Sequence, residues 1–239
     1  MAVKASQSAT RVLAALEAVA AHQPVGISAL AKLLQDDRSA VQRAVATLAD
    51  AGWIRVAPRS AGRWELSAHM FTLAHLPGST NELRRRARAV LESLRSQTGE
   101  TVFLAIPDFS RFVIIETIES EHLLRMTSRV GQLIAPLRSA TGRAFLAQVD
   151  TARRDAMLGG APDAREAAEL ALTKSRGYAV SAGEVTSGAT NLAAAIFSHE
   201  NEPVAVLAVS GPSERLGPER YAEAGAILVK AAASLSHGR

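Results

Sequence analysis

Arg38, Ser39, Gln42, Arg43 and Thr47 include pairs three or four residues apart, 38 with 42, 39 with 42 and 43, and 43 with 47, which puts donor side chains along one side of a helix. Such a row suits one kind of chemistry. Guanidinium and hydroxyl groups can hold phosphate oxygens, and Arg and Gln can make paired hydrogen bonds with base edges in a major groove. Arg59 and Arg63 come next, in a stretch with Pro58 and Gly62, and would place charge beside the same duplex backbone. Patterns for covalent or metal chemistry are not found. The chain has no cysteine, and its six histidines are scattered without H-E-x-x-H. It also lacks a G-x-S-x-G elbow, a phosphate loop and a dinucleotide fingerprint. Carboxylates such as Glu116 and Glu119 read as the solvated rim of strand ends. An enzyme is therefore unsupported, and neither a metal nor a cofactor is expected.

The elements that must carry the cationic row are legible around it. Leu30, Leu33 and Leu34 recur at helical spacing and predict a short helix with one buried face. Asp36-Asp37-Arg38-Ser39 interrupts that pattern as a four-residue turn. Val41, Ala44, Val45 and Leu48 restore it as a second helix, with Ser39 and Gln42 in the order of a capping box and Gly52 as its stop. This is a helix-turn-helix, for which an ordinary helical hairpin with a solvated basic face is the alternative. The flanking segments favour the first reading. Trp53–Val56 and Arg63–Leu66 predict two strands around the loop Ala57–Gly62, a hairpin placed as a wing. Ser8 to His22, with Val12, Leu13, Leu16, Val19 and Ala20, predicts an amphipathic covering helix. The order helix, helix-turn-helix, wing predicts a winged helix over residues 1–66.

At 239 residues and 48% hydrophobic, the chain has material for two compact cores. No stretch resembles a signal peptide or a membrane span, which with the missing cysteines leads to an expectation of the cytosol and no membrane partner. Charge is unevenly distributed. Residues 1–95 hold 13 Lys/Arg against 7 Asp/Glu, whereas residues 96–239 hold 14 against 16. The basic part is the part with the helix-turn-helix, as expected for phosphate contact.

After the wing, Leu66 to Leu76 predicts a short helix ended by a bend at Pro77-Gly78. Asn81 to Gln97 predicts a longer one, with Leu83, Ala87, Val90, Leu91 and Leu94 inward and Arg84, Arg85, Arg86 and Arg88 on a solvated face. Residues 67–98 thus read as a helical linker. Strands are predicted at Thr101–Ile106, Phe112–Ile118 and Leu123–Thr127, then a helix at Ser139–Val149 and two helices across Thr151–Lys174. Gly177–Val180, Ala189–Phe197 and Val204–Ser210 predict further strands, and Tyr221–Leu235 a closing helix. Strands mixed with helices without regular alternation predict an α+β domain, residues 99–239, with a largely antiparallel sheet.

Several fragments, in order along nearly the whole chain, resemble the IclR (isocitrate lyase regulator) family of bacterial regulators. They are Ser39–Arg43 with Thr47-Leu48 and Gly52, Arg63–Leu66, Thr98–Val102, Leu124–Gly131 and Gly142–Ala147. Arg176–Val180 with Glu184 and Gly188, Val209–Pro212 and Arg215-Leu216 complete them. The resemblance implies a GAF-like effector-binding domain, homodimers or homotetramers on a palindromic DNA operator, and a small organic acid as effector. Family binding positions fall on Ser139, Ala140 and Thr141, whose amides open a helix and can hold an anion, and on Asn191, Ala208 and Ser210 on pocket strands. Strand alternation agrees, placing Ala208 with Ser210 and Asn191 with Ala193 and Ala195. Met126 is a further candidate lining residue, and Arg129, Arg138 and Arg143 are expected at the rim. Departures are Asp36 for an apolar residue, Ser181 for an acidic one, Ala135 before Pro136, Leu137 for a histidine, and a short segment between Asp150 and Lys174. The expectation is a ligand-responsive DNA-binding regulator of a metabolic operon, acting as a repressor. The alternative is an architectural, oligomerising DNA-binding protein whose C-terminal domain is empty.

Overall fold

In the computed structural model, which describes residues 5–74, 76 and 78–236, the chain folds as two units divided between Gly78 and Ser79. The first holds α1 (Gln7–His22), β1 (Val25–Gly26), α2 (Ile27–Leu34), α3 (Arg38–Asp50), β2 (Ile54–Val56), β3 (Arg63–Leu66) and α4 (His69–Ala74). Its core joins Ala15 and Val19 of α1 to Leu30 of α2, Val41, Val45 and Leu48 of α3, and Ile54 of β2. Each buried aliphatic side chain contributes roughly 1.5–3 kcal/mol on transfer from water. Not all the predicted apolar positions face inward: Leu34 is half-buried, and Leu13 and Leu33 are exposed.

Two local features differ from expectation. The cap of α3 is Asp37 and not Ser39: its carboxylate accepts from the amides of Ser39 and Ala40, so α3 begins one residue before Ser39. A carboxylate at a helix N-terminus also meets the positive end of the helix dipole, an advantage a hydroxyl lacks. The turn is correspondingly Gln35–Asp37, with Gln35 left-handed at φ 50° as the end of α2. The wing is also three-stranded, because β1 pairs with β3 through Val25–Trp64 and Gly26–Arg63.

The second unit begins with α5 (Ser79–Thr98) and continues through β4 (Thr101–Asp108), β5 (Arg111–Ile118), β6 (Leu133–Ile134), α6 (Ala140–Leu146), α7 (Thr151–Leu158) and α8 (Ala164–Arg176). β7 (Ala179–Ala182), β8 (Ala189–Phe197), β9 (Pro203–Pro212) and α9 (Tyr221–Leu235) complete it. The six strands form one antiparallel sheet in the order β6-β5-β4-β9-β8-β7. One face packs on α5 and α9 through Leu91, Leu94, Leu104, Leu207 and Leu228. The other packs on α6, α7 and α8 through Phe103, Phe112, Ala144, Phe145 and Leu170. Strand alternation produces both faces from the same strands.

The stretch 67–98 divides between the units. α4 buries none of its residues in the first unit, whereas α5 sinks Ala87, Leu91 and Leu94 completely into the second. Of the expected bend, Gly78 is described and Pro77 lies outside the described residues. The arginine-rich side of α5 is not simply solvated. Arg84 and Arg88 pair with Glu116, at 2.6 and 3.5 Å, and Arg86 donates to the Leu235 carbonyl. Glu116 is therefore buried and neutralised, not a solvated rim. Leu123–Thr127 forms no strand; β6 takes the place beside β5, pairing Ile134 with Phe112, and leaves Leu123 and Leu124 exposed.

Candidate functional site

The outward side of α3 carries Arg38, Ser39, Gln42, Arg43 and Thr47, all exposed, above a core of Val41, Ala44, Val45 and Leu48. Position and charge are thus decided by the same periodicity. Arg43 donates to the Ser39 hydroxyl at 3.3 Å, and Ser39 donates to the Asp37 cap, so the cap steadies the cation one turn on. The Thr47 hydroxyl turns back to the Arg43 carbonyl. Arg59 stands exposed in the wing loop, where Gly62 at φ +72° closes the turn into β3. Arg63 is exposed at the start of β3, its guanidinium reaching the Pro24 carbonyl at 3.5 Å. Arg38 and Arg63 line one cleft together with Gly26, Ile27, Ser28 and Ala29. That is the first turn of α2, whose cap Gly26 supplies no side-chain bond to the open amides. Two guanidinium groups around a helix N-terminus make an anion site of the kind phosphate occupies. The uncapped first turn of α2 was not visible in the sequence, because a Gly cap leaves no polar signature.

Behind this surface, Asp36 pairs with Arg11 of α1 and so fixes the turn to the covering helix. Hydrogen bonding from Arg11, then from the Asp37 amide, holds the Asp36 carboxyl below its ordinary range. The Ser39 hydroxyl, then the Ala40 amide, does the same for Asp37.

In the second unit the register collects several expected effector residues. Asn191 lies opposite Ser210 on one side and Ser181 on the other, and Ser210 lies opposite Thr101. A polar row Ser181–Asn191–Ser210–Thr101 therefore crosses four strands on the α6 side, next to the apolar row Ala179–Ala193–Ala208–Phe103. Asn191 is half-buried and its side chain makes no hydrogen bond among the described residues, while the other three members of the row are buried. Ser139 caps α6, its hydroxyl accepting from Gly142 and donating to the Ala135 carbonyl at 2.6 Å. Ala140 and Thr141 come next, both buried. A Cβ on Gly142 would lie 1.6 Å from the Pro136 carbonyl oxygen, so only glycine lets the loop before α6 lie against the helix. Met126 is drawn to the end of the row, because the Thr101 hydroxyl donates to its carbonyl at 2.6 Å.

Of the three arginines expected at the rim, Arg129 and Arg138 are exposed but Arg143 is buried. Its charge is met by Glu184 and by the carbonyls of Leu137 and Val180, which is why burial is tolerated. Just before the start of β4, Glu100 is 1% exposed and gripped in a fork by Arg215 at 2.6 and 2.8 Å. Arg215 also donates to the Leu124 carbonyl. Donating these hydrogen bonds to Glu100 pushes the Arg215 pKa up. Two sequence fragments more than a hundred residues apart thus meet in one ion pair. Among the described residues, no group of three or more His, Cys, Asp or Glu is placed to hold a metal, and no helix is long and apolar enough to cross a membrane.

A winged helix with a cationic recognition face, in one chain with a separate α+β unit, is the build of a DNA-binding transcription regulator. Comparison with known proteins gives the family. Residues 8–58 match the IclR helix-turn-helix domain, and residues 78–237 match the bacterial transcriptional regulator IclR C-terminal domain. The chain is 31% identical to the transcriptional repressor IclR of Escherichia coli strain K12, over 95% of this chain and 87% of that one. It is 30% identical to the acetate operon repressor of Salmonella typhimurium, with the same coverage. Among solved structures, an IclR homolog complexed with 4-hydroxybenzoate from Microbacterium hydrocarbonoxydans superposes with a TM-score of 0.81, at 20% identity, covering 97% of this chain and 98% of that one. The chain belongs to the IclR family of bacterial transcriptional regulators.

Proposed function

We propose that this regulator is a repressor that binds a palindromic operator as a homodimer or homotetramer and responds to a small organic acid. The observation that carries the DNA half is the exposed row Arg38, Ser39, Gln42, Arg43 and Thr47, backed by Arg59 and Arg63 of the wing. Arg43 and Gln42 read base edges; Arg38, Arg63 and the α2 amides hold phosphate, and Arg59 reaches the backbone beside the wing. One winged helix reads few base pairs, so two copies on half-sites spaced by whole helical turns give the specificity. The neighbour crystallised with 4-hydroxybenzoate and the two repressors among the relatives support the ligand and the sign of control.

The effector reading rests on the half-buried Asn191, whose side chain makes no hydrogen bond among the described residues, beside Ser210 and an alanine floor. A ligand there has its polar end at the Ser139–Thr141 amides and its body against Ala193, Ala208 and Met126. Because Arg143 is already paired, the polar end is met by neutral donors, which suits a monocarboxylate or hydroxyl better than a multiply charged acid. Ligand alters DNA affinity only through its differential affinity for two arrangements of the assembly. A thermal-shift screen of aliphatic and aromatic acids, then calorimetry, tests this. Stabilisation by monocarboxylates that is lost in Asn191→Ala is expected; binding that persists without residues 99–239 overturns it.

A further inference from the structure

Arg143 is buried and meets four polar partners among the described residues, and the DNA reading makes no use of it. It sits on α6, one turn beyond Ser139–Thr141, with its side chain 8% exposed. Nε donates to the Leu137 carbonyl at 2.8 Å, Nη1 to the Val180 carbonyl at 2.9 Å, and Nη2 to the Glu184 carboxylate. Glu169 of α8 adds a second carboxylate at 3.8 Å. The guanidinium plane therefore joins three separate pieces of backbone: the loop before α6, the edge strand β7, and the loop after β7. A second set of bonds runs alongside. Arg138 donates to the Glu184 carbonyl at 3.1 Å, and the Ser181 hydroxyl donates to the Arg138 carbonyl at 3.1 Å.

The loop that Glu184 belongs to runs from Gly183 to Gly188, and both of these glycines have positive φ, 71° and 77°. Between them, Val185 is exposed. Few apolar contacts fix such a loop, so polar anchors decide where it lies. Its anchors reach the two sides of the proposed effector site. Leu137 and Arg138 lead directly into Ser139, and Val180 and Ser181 lead to the strand position opposite Asn191.

We infer that Arg143 is the positioning residue of the effector site, holding the Ser139–Thr141 amides at a set distance from the Ser181–Asn191 pair through its tie to Glu184. This role for Arg143 depends on the reading of the site under Proposed function. The tie itself can be tested without any effector. A guanidinium is suited to it because its donors leave in fixed, divergent directions, which an ammonium cannot reproduce.

The experiment is hydrogen–deuterium exchange with peptide-level mass spectrometry on the full-length protein. In Glu184→Gln, exchange in residues 135–142 and 183–190 should accelerate together by about fivefold or more, with α9 peptides unchanged. Glu169→Gln removes a carboxylate from the same guanidinium but none from the loop, and should leave both segments as in the parent. Arg143→Lys keeps the charge without the three directions, and should accelerate the same two segments. A role for charge alone would instead leave Arg143→Lys like the parent, and overturns the inference. Acceleration confined to 183–190, or extending equally to α9, overturns it as well. Should Arg143→Lys fail to fold, the Glu184→Gln and Glu169→Gln pair still decides. A screen in which no acid stabilises the parent protein refutes the effector reading and leaves the exchange result standing, so the two failures are distinct.

Discussion

Removing Arg38 tests the DNA interface where its geometry is most specific. The side chain is exposed and supports no part of the core, so Arg38→Ala should leave the fold intact. It shares a cleft with Arg63 and with the uncapped first turn of α2, an arrangement that suits a single phosphate. Each phosphate neutralised by the protein contributes about −0.9 to the slope of log K against log salt concentration. A two-fold complex loses two such contacts, so the slope should flatten by about 1.8. The affinity deficit of the variant should then shrink roughly tenfold between about 50 and about 200 mM salt. Because phosphate contacts carry no sequence information, the ratio of operator to random-duplex affinity should hardly move. Fluorescence anisotropy with both duplexes over a salt series measures all three quantities. An unchanged slope, or a loss confined to the operator, would refute the phosphate assignment.

The ion pairs and the polar row give three further outcomes. Arg215→Ala leaves the 1%-exposed Glu100 carboxylate without its partner and should cost about 3–5 kcal/mol by urea unfolding, while adding Glu100→Met should recover most of the loss; equal stability of the single and double variants would contradict the pairing. Asp36 and Asp37 have folded pKa values below the ordinary 3.8, so their stabilisation is complete at neutral pH and disappears as pH falls through that value and then through the lower folded ones. Asp37→Asn should therefore lower the unfolding midpoint at pH 7 and converge with the parent in strong acid. Tryptophan fluorescence reads this, since Trp53 and Trp64 are the two tryptophans and both lie in the winged helix. Asn191→Ala should weaken binding of any acid found by thermal shift by about 1–3 kcal/mol in calorimetry, and leave ligand-free DNA affinity unchanged.

The winged helix was legible because its signals are local. The apolar stripe Val41, Ala44, Val45, Leu48 lies within two turns, and the wing strands flank one Gly- and Pro-containing loop. The features of this unit that escaped the sequence depend on distant contacts or on short pieces. β1 is two residues long and exists only because β3 pairs with it. The cap moved from Ser39 to Asp37 because adjacent cap-forming residues compete, and only geometry ranks them. In the second unit, strand alternation placed Ala208 with Ser210 and Asn191 with Ala193 and Ala195, but register alone sets Asn191 opposite Ser210 and brings the two strands' sets together. Leu123–Thr127 has the composition of a strand yet finds no neighbour to pair with, since β6 holds the edge of β5. Arg143 was expected at the rim because burial of a cation is costly. Its partner Glu184 stands forty-one residues away, beyond the reach of any spacing argument.

The six-stranded sheet is also a partition. Phe103 and Ala105 belong to the core beside α6, while Val102 and Leu104, their neighbours on β4, belong to the core beside α5. No side chain passes through a sheet, so the two chambers exchange nothing except movement of the strands themselves. α5 is the helix just after Gly78, where the second unit begins, and it lies in the chamber away from Asn191 and Ser139. A ligand at the site proposed above would therefore act on α5 through displacement of β4 and β9, the strands whose side chains enter both cores.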